Sequence, residues 1–159
     1  MTTPSRLQSR VEIGLCVWVR LARTVDELEE LKNADPFTYN KLEELMEVAA
    51  EPGGLVQAGY SPDYDYQTPL QYAPDDVSEP PWMGELKTVG KKRKKKAPLV
   101  WRLYFGEPIE NLTEVVACGV SFKDPEDLKG AEKQRKAVAK AMGHFKWHCS
   151  SHGLTYQPF

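Results

Sequence analysis

Hydrophobic and polar positions alternate in several short segments of the chain, which indicates β-strands. Apolar residues occupy every second position of residues 11–19, and this period of two predicts a first strand with one face on a core. Residues 83–89 are predicted to form a second strand and residues 99–105, which alternate, a third, while residues 115–122 are mostly small or apolar on both faces and predict a central strand. In the third of these four, Arg102 and Tyr104 lie on the face opposite the most apolar side chains, because side chains alternate along a strand. We therefore expect the substitution Arg102→Ala to leave the fold intact.

Helical periodicity predicts a two-helix hairpin after the first strand. Thr24 followed by Glu27 matches a capping box, and the apolar spacing continues to about Lys32. Asp35, followed by proline, predicts the start of a second helix, which ends at the Pro-Gly-Gly sequence of residues 52–54. With so short a connection, the two helices are expected to lie antiparallel.

A basic amphipathic helix is predicted near the C-terminus, at residues 129–148. Asp124, followed by proline, is expected to cap it. Its inward face consists of Val138, Ala141, Met142 and Phe145, and its outward face of Lys129, Lys133, Lys136 and Lys140.

Residues 52–82 form a long segment without helical or strand periodicity. It contains six prolines, together with tyrosines and acidic residues. Loops of this length inside a compact domain are usually functional or disordered. Two interpretations stay open: a mobile insertion, or an acidic-aromatic loop that lies over a basic face of the domain and moderates access to it.

The overall charge of −2 conceals a strong asymmetry along the chain. Residues 1–86 carry 6 Lys and Arg against 16 Asp and Glu, and residues 87–159 carry 15 against 7. A basic half of this size indicates an anionic partner, either nucleic acid or an acidic protein segment, although a solvated lysine face is the alternative. A turn is predicted at residues 90–98, between the second and third strands, and it contains six consecutive basic residues. The candidate nucleic-acid-binding residues are those of this basic turn and of the last helix: Lys91, Lys92, Arg93, Lys94, Lys95, Lys96, Lys129, Lys133 and Lys136.

Composition indicates one ordinary globular domain. The chain has 159 residues, of which 41% are hydrophobic. The apolar stretch near its start is too short for a signal peptide or a membrane span, which predicts a cytoplasmic protein that does not contact a membrane. Its three cysteines show no disulfide spacing, and we interpret Cys16 and Cys118 as small reduced core residues.

Histidine and cysteine cluster at the C-terminus, in an extension at residues 143–159. His144 and His148 are one helical turn apart and, with Cys149 or His152, form a possible zinc set. Their spacing matches no standard zinc motif. We therefore predict no metal site and interpret the histidines as solvent-facing or helix-end residues.

Several segments together resemble the RelE/ParE toxin superfamily, particularly its HigB-like and phage-derived branch. They are ADPFTYNKLEELMEVAAEPGG, GELKTV, VWRLYFGEP and VVACGVSFKDPED. The resemblance implies a single α+β domain with an N-terminal strand, a helical hairpin, a twisted and mostly antiparallel sheet with a basic concave face, and a C-terminal helix. It also implies an antitoxin protein as partner and either metal-free mRNA cleavage on the ribosome, without any cofactor, or inhibition of gyrase.

The resemblance assigns the candidate catalytic role to three basic residues. Arg102 matches the family's strand arginine, Lys87 the basic residue of the preceding strand, and Lys123 the basic residue after the last strand. Metal-free RNA cleavage needs fixed positive charge at the phosphate and a group that takes the 2′-hydroxyl proton. Arginine offers a planar fork to two phosphate oxygens, and a lysine desolvated beside other cations is a candidate base.

The chain departs from the family in its acidic overall charge and in lacking a clear match to the C-terminal tyrosine. Three functions therefore stay open. The first is a RelE-like endoribonuclease. The second is a non-catalytic binding module on the same fold, either a ParE-like inhibitor of a host enzyme or a nucleic-acid-binding protein. The third is a retained fold that has lost its activity, with the acidic loop covering the basic site.

Overall fold

A computed structural model describes residues 8–159 of the chain. In chain order, its elements are α1 Arg10–Ile13, β1 Val17–Arg20, α2 Ala22–Ala34, α3 Pro36–Ala50, α4 Gly54–Gln57, β2 Tyr66–Gln67, β3 Met83–Val89, β4 Val100–Gly106, β5 Glu114–Lys123 and α5 Gly130–Ser151. The five strands form one sheet in the order β1-β5-β4-β3-β2. Only β1 and β5 are parallel, and the other three pairs are antiparallel. The predicted α+β class is confirmed.

The helical hairpin covers one face of the sheet, as predicted. Its buried leucines, such as Leu31 and Leu42, share a core cluster with Leu103 and Phe105 of β4. Asp35 caps α3 by accepting a hydrogen bond from the backbone N–H of Thr38 at 3.1 Å. The helix start predicted at Asp35 is therefore confirmed, since its side-chain oxygen satisfies one of the free N–H donors at the start of α3.

The predicted first strand at residues 11–19 is wrong over most of its length. Ser9 caps the short helix α1, because it accepts a hydrogen bond from the N–H of Val11, and Glu12 accepts one from the N–H of Ser9 at 3.2 Å. The chain then turns through Gly14 and Leu15, whose φ angles are +97° and +60°. Left-handed backbone cannot continue a strand, so β1 contains only four residues.

The predicted capping box at Thr24 is also wrong. Helix α2 begins at Ala22, and the Thr24 hydroxyl donates instead to the carbonyl of Ala117, at 2.9 Å. Glu27 accepts a hydrogen bond from the N–H of Val120 at 3.0 Å. Both side chains therefore attach α2 to β5. They make these tertiary hydrogen bonds instead of the capping hydrogen bonds that the sequence predicted. Asp124 likewise does not cap the last helix, whose first residue is Gly130.

Helix α5 and residues 68–82 cover the other face of the sheet. The predicted inward residues of α5 are buried, and its Phe145 packs close to β4, where a Cβ at Gly106 would lie 2.5 Å from the aromatic ring. Leu70 and Ala73 belong to the same buried cluster. Tyr66 lies in β2, which pairs with β3, and is also buried. Residues 52–82 are thus part of the folded domain rather than an insertion outside it.

All three cysteines are buried and free, which confirms the interpretation of Cys16 and Cys118 as core residues. Burial raises the pKa of the Cys16 thiol to about 11. In residues 8–159, none of the helices combines the length and the apolar character that crossing a membrane requires.

Candidate functional site

Strand register brings the three candidate catalytic residues to one face of the sheet. Arg102 of β4 lies directly opposite Lys87 of β3 and opposite Ser121 of β5. Lys123 pairs with Val100, two residues from Arg102. Because directly opposed residues in antiparallel strands point to the same side, Arg102, Lys87 and Lys123 share the face that α5 and residues 68–82 partly cover.

Arg102 is largely buried beside the carboxylate of Glu85. The side chains are 13% and 7% exposed, and Arg102 Nε lies 3.4 Å from Glu85 Oε2. These two atoms and Arg102 Nη1 are buried without a hydrogen-bond partner among residues 8–159. Desolvation raises the pKa of Glu85, although the charges of Arg102 and then Lys87 oppose the shift. The arginine therefore balances an internal carboxylate, and a phosphate reaching it would compete with Glu85.

The other two candidates differ from Arg102 in their surroundings. Lys87 Nζ donates to the carbonyl of Asp63, and the Lys87 N–H donates to the carbonyl of Asp65 at 2.8 Å. These bonds hold the acidic segment against the edge of the sheet through its backbone, not through its carboxylates. Lys123 is partly exposed at the end of β5 and makes no ion pair within residues 8–159.

Tyr104 and Ser121 complete this face of the sheet. Tyr104 is 1% exposed, and its hydroxyl oxygen lies 3.3 Å from that of Ser121. Burial, and then the charge of Glu85, raises the pKa of Tyr104. The sequence pattern placed Tyr104 beside Arg102 but gave it no role, and it did not identify Glu85 at all. Glu85 is two residues from Lys87 in GELKTV, so period two was the one signal that placed it on this face.

Two of the six basic side chains in the turn make hydrogen bonds or ion pairs with neighbouring residues, and the other four make none within residues 8–159. Lys91 donates from Nζ to the carbonyl of Ala34, and Arg93 pairs with Asp124 at 2.8 Å. The other four turn lysines are exposed and make no ion pair within residues 8–159: Lys92, Lys94, Lys95 and Lys96. Of the helix candidates, Lys129 is exposed, Lys133 pairs with Asp127 at 2.6 Å, and Lys136 lies 3.5 Å from Glu132.

The C-terminal histidines contact different partners. His144 Nδ1 lies 3.2 Å from the carbonyl of Cys118, and His152 Nδ1 lies 2.8 Å from that of His148. His148 is buried, with Nε2 at 3.6 Å from Glu114. Within the described part of the chain, no three His, Cys, Asp or Glu side chains are grouped so that they could hold a metal ion.

No protein-family model matches this chain, and no curated protein or solved structure matches it significantly. The assignment of function therefore depends on the geometry of these residues.

Proposed function

We propose that this protein binds nucleic acid through a basic band formed by residues 91–96 and 123–136. These two segments are far apart in sequence, but contacts made by Asp124 and Glu126 join them. Arg93 pairs with Asp124, and the N–H of Ala97 donates to Glu126 at 2.9 Å. The turn is thereby held beside the start of α5. This attachment is the observation that carries the proposal, because it converts two runs of charge into one surface.

The basic band has a large excess of positive charge. Its two segments contain 11 Lys and Arg against 4 Asp and Glu. Two of the four carboxylates, Asp124 and Asp127, already pair with Arg93 and Lys133. Exposed lysines contact phosphates as point charges and release condensed counterions, which gives affinity without sequence specificity. We therefore expect binding that is sequence-independent and strongly dependent on salt.

Fluorescence anisotropy with a labelled single-stranded RNA and a labelled duplex DNA at several salt concentrations tests the proposal. The variant Lys92→Gln/Lys94→Gln/Lys95→Gln/Lys96→Gln removes the free turn lysines and retains Arg93. If all four contact phosphates, the slope of log K against log salt falls in magnitude by about 3.6 on duplex DNA, at about 0.9 for each phosphate.

A matched pair of variants separates local contact from net charge. Lys94→Gln/Lys95→Gln removes two charges from the turn, and Lys32→Gln/Lys41→Gln removes two from the helical hairpin. The first should lower both affinity and slope, and the second should leave the slope unchanged. Equal effects of the two pairs, or a wild-type protein that binds neither nucleic acid, would contradict the proposal.

A RelE-like endoribonuclease is our second candidate, favoured by the position of Arg102, Lys87 and Lys123 on one sheet face beside two hydroxyl groups. In that proposal the cations stabilise the charge that develops on the phosphorus, and an antitoxin protein covers the site. Inducible expression in bacteria with mapping of mRNA ends is the test. Codon-phased cleavage that Lys123→Gln abolishes supports it. Growth arrest with intact mRNA instead favours a ParE-like inhibitor of a host enzyme.

A further inference from the structure

A cleft of about 270 Å³ lies between the start of α2, strand β5 and the middle of α5. Its floor contains Tyr104, Gly119 and Ser121, and its rim contains Arg23, Lys140 and His144. The space exists because small residues face each other at this crossing. A Cβ at Gly119 would lie 3.6 Å from the Cβ of Ala141, which is ordinary van der Waals contact, so an alanine methyl group would fit here and take up space between these two lining residues.

Cationic side chains outnumber the carboxylates that line the cleft. Arg23, Lys136 and Lys140 line it together with a single carboxylate, that of Glu27. Glu27 already accepts a hydrogen bond from the N–H of Val120 and lies 3.8 Å from Arg23 Nε. Lys140 is exposed and makes no ion pair within residues 8–159. The rim therefore retains positive charge that no residue of the cleft balances.

The floor of the cleft also has an unused hydrogen-bond donor. The hydroxyls of Tyr104 and Ser121 share one hydrogen bond at 3.3 Å, so one of their two O–H protons has no acceptor among the described residues. Leaving a buried donor unpaired is costly. At the rim, the carbonyl of Cys118 can only accept, so His144 Nδ1 donates to it and this N–H is not free for a ligand.

We propose that this cleft binds a phosphate-class anion, either inorganic phosphate or the terminal phosphate of an organic phosphomonoester. A phosphate oxygen would accept the free hydroxyl proton, while the guanidinium of Arg23 and the ammonium of Lys140 neutralise its charge. The hydroxyl donor, the two cationic side chains and the excess of positive charge on the rim all favour an oxyanion over a neutral ligand. The site shares Lys136 with the basic band but none of its turn lysines, so it stands whether or not the protein binds nucleic acid.

Isothermal titration with inorganic phosphate and with phenyl phosphate, together with amide chemical shifts of Gly119 and Ser121, tests the site. We expect saturable binding with shifts centred on these amides. Arg23→Gln/Lys140→Gln should weaken it about tenfold or more, because it removes two charge-assisted hydrogen bonds. Gly119→Ala should also weaken it, without any change of charge.

The controls separate this proposal from the basic band. Both the four-lysine turn variant and Lys32→Gln/Lys41→Gln should bind phosphate as the wild type does. Displacement of phenyl phosphate by a 5′-phosphorylated but not by a 5′-hydroxyl oligonucleotide would identify the terminal phosphate of a nucleic acid as the ligand. Displacement by inorganic phosphate but by neither oligonucleotide would identify the free ion as the ligand. Absence of saturable binding, or equal weakening by Arg23→Gln/Lys140→Gln and Lys32→Gln/Lys41→Gln, would overturn the proposal.

Discussion

Replacing Arg102 by alanine should destabilise the fold, contrary to the expectation from strand alternation. The substitution removes the guanidinium that lies 3.4 Å from Glu85 and leaves that buried carboxylate without its cation. Removing one partner of a buried ion pair typically costs about 3–5 kcal/mol. Because the pair lacks hydrogen-bond geometry, we expect a value near the lower limit, still a large part of the roughly 5–15 kcal/mol that stabilises a typical domain.

The loss of stability caused by Arg102→Ala should depend on pH, because Glu85 can take up a proton instead of remaining charged. Desolvation already raises its pKa in the wild type, and Arg102 opposes that shift, so loss of Arg102 should raise the pKa further. The folded state then holds a proton that the unfolded chain releases, and stability falls as pH rises from the unfolded pKa through the folded one. We expect the largest destabilisation at about pH 8 and a smaller one at about pH 5.

Urea unfolding at these two pH values measures the effect. Arg102→Ala/Glu85→Gln should lose the added pH dependence, because the neutral amide cannot titrate in this range. Lys123→Gln, which removes a basic residue from the same sheet face, should change stability little. If Arg102→Ala costs less than about 1 kcal/mol at both pH values, the pair behaves like a surface ion pair and the reasoning from burial is refuted.

Two further predictions concern the capping residue and the long segment. Asp35→Ala should cost about 1 kcal/mol, because the Thr38 N–H loses its acceptor, and urea unfolding against Asp35→Asn measures it. Desolvation would raise the pKa of Asp35, but its hydrogen bonds with Thr38 and Lys91 keep it below the ordinary value, so its contribution should disappear as pH falls through that lowered pKa. Deleting residues 60–79 should abolish cooperative thermal unfolding monitored by circular dichroism, because it removes β2 with its buried Tyr66. A folded deletion protein would show that this segment is dispensable.

Sequence periodicity predicted the central strands well for a physical reason. Strands β3, β4 and β5 lie within a residue or two of their predicted bounds, because each is half or fully buried and ends at a glycine, a charged turn or an Asp-Pro pair. Helix α3 was predicted equally well, since its Asp35 cap depends only on neighbouring residues. Features set by local chemistry and burial together are readable from one sequence.

Two Ser/Thr and Glu pairs near the start of the chain have the spacing of a capping box, but only one of the two pairs caps a helix. Ser9 and Glu12 form a real capping box, which the alternating pattern after them concealed. Thr24 and Glu27 have matching spacing but bind the backbone of β5 instead. The difference lies in what faces each side chain in the folded protein. Likewise, Glu85 meets Arg102 only because β3 and β4 pair in one register, which no single-strand pattern specifies.

The charge asymmetry of the sequence becomes a spatial separation in the fold. Residues 22–50, the helical hairpin, carry 8 Asp and Glu against 3 Lys and Arg and cover one face of the sheet. Helix α5 covers the other face and carries 5 Lys and Arg against 1 Glu. An approaching polyanion is thus repelled from the hairpin and attracted to α5 and the adjoining turn. Net charge near zero is therefore compatible with the proposed nucleic-acid partner, because the opposed faces would orient a polyanion towards the basic band.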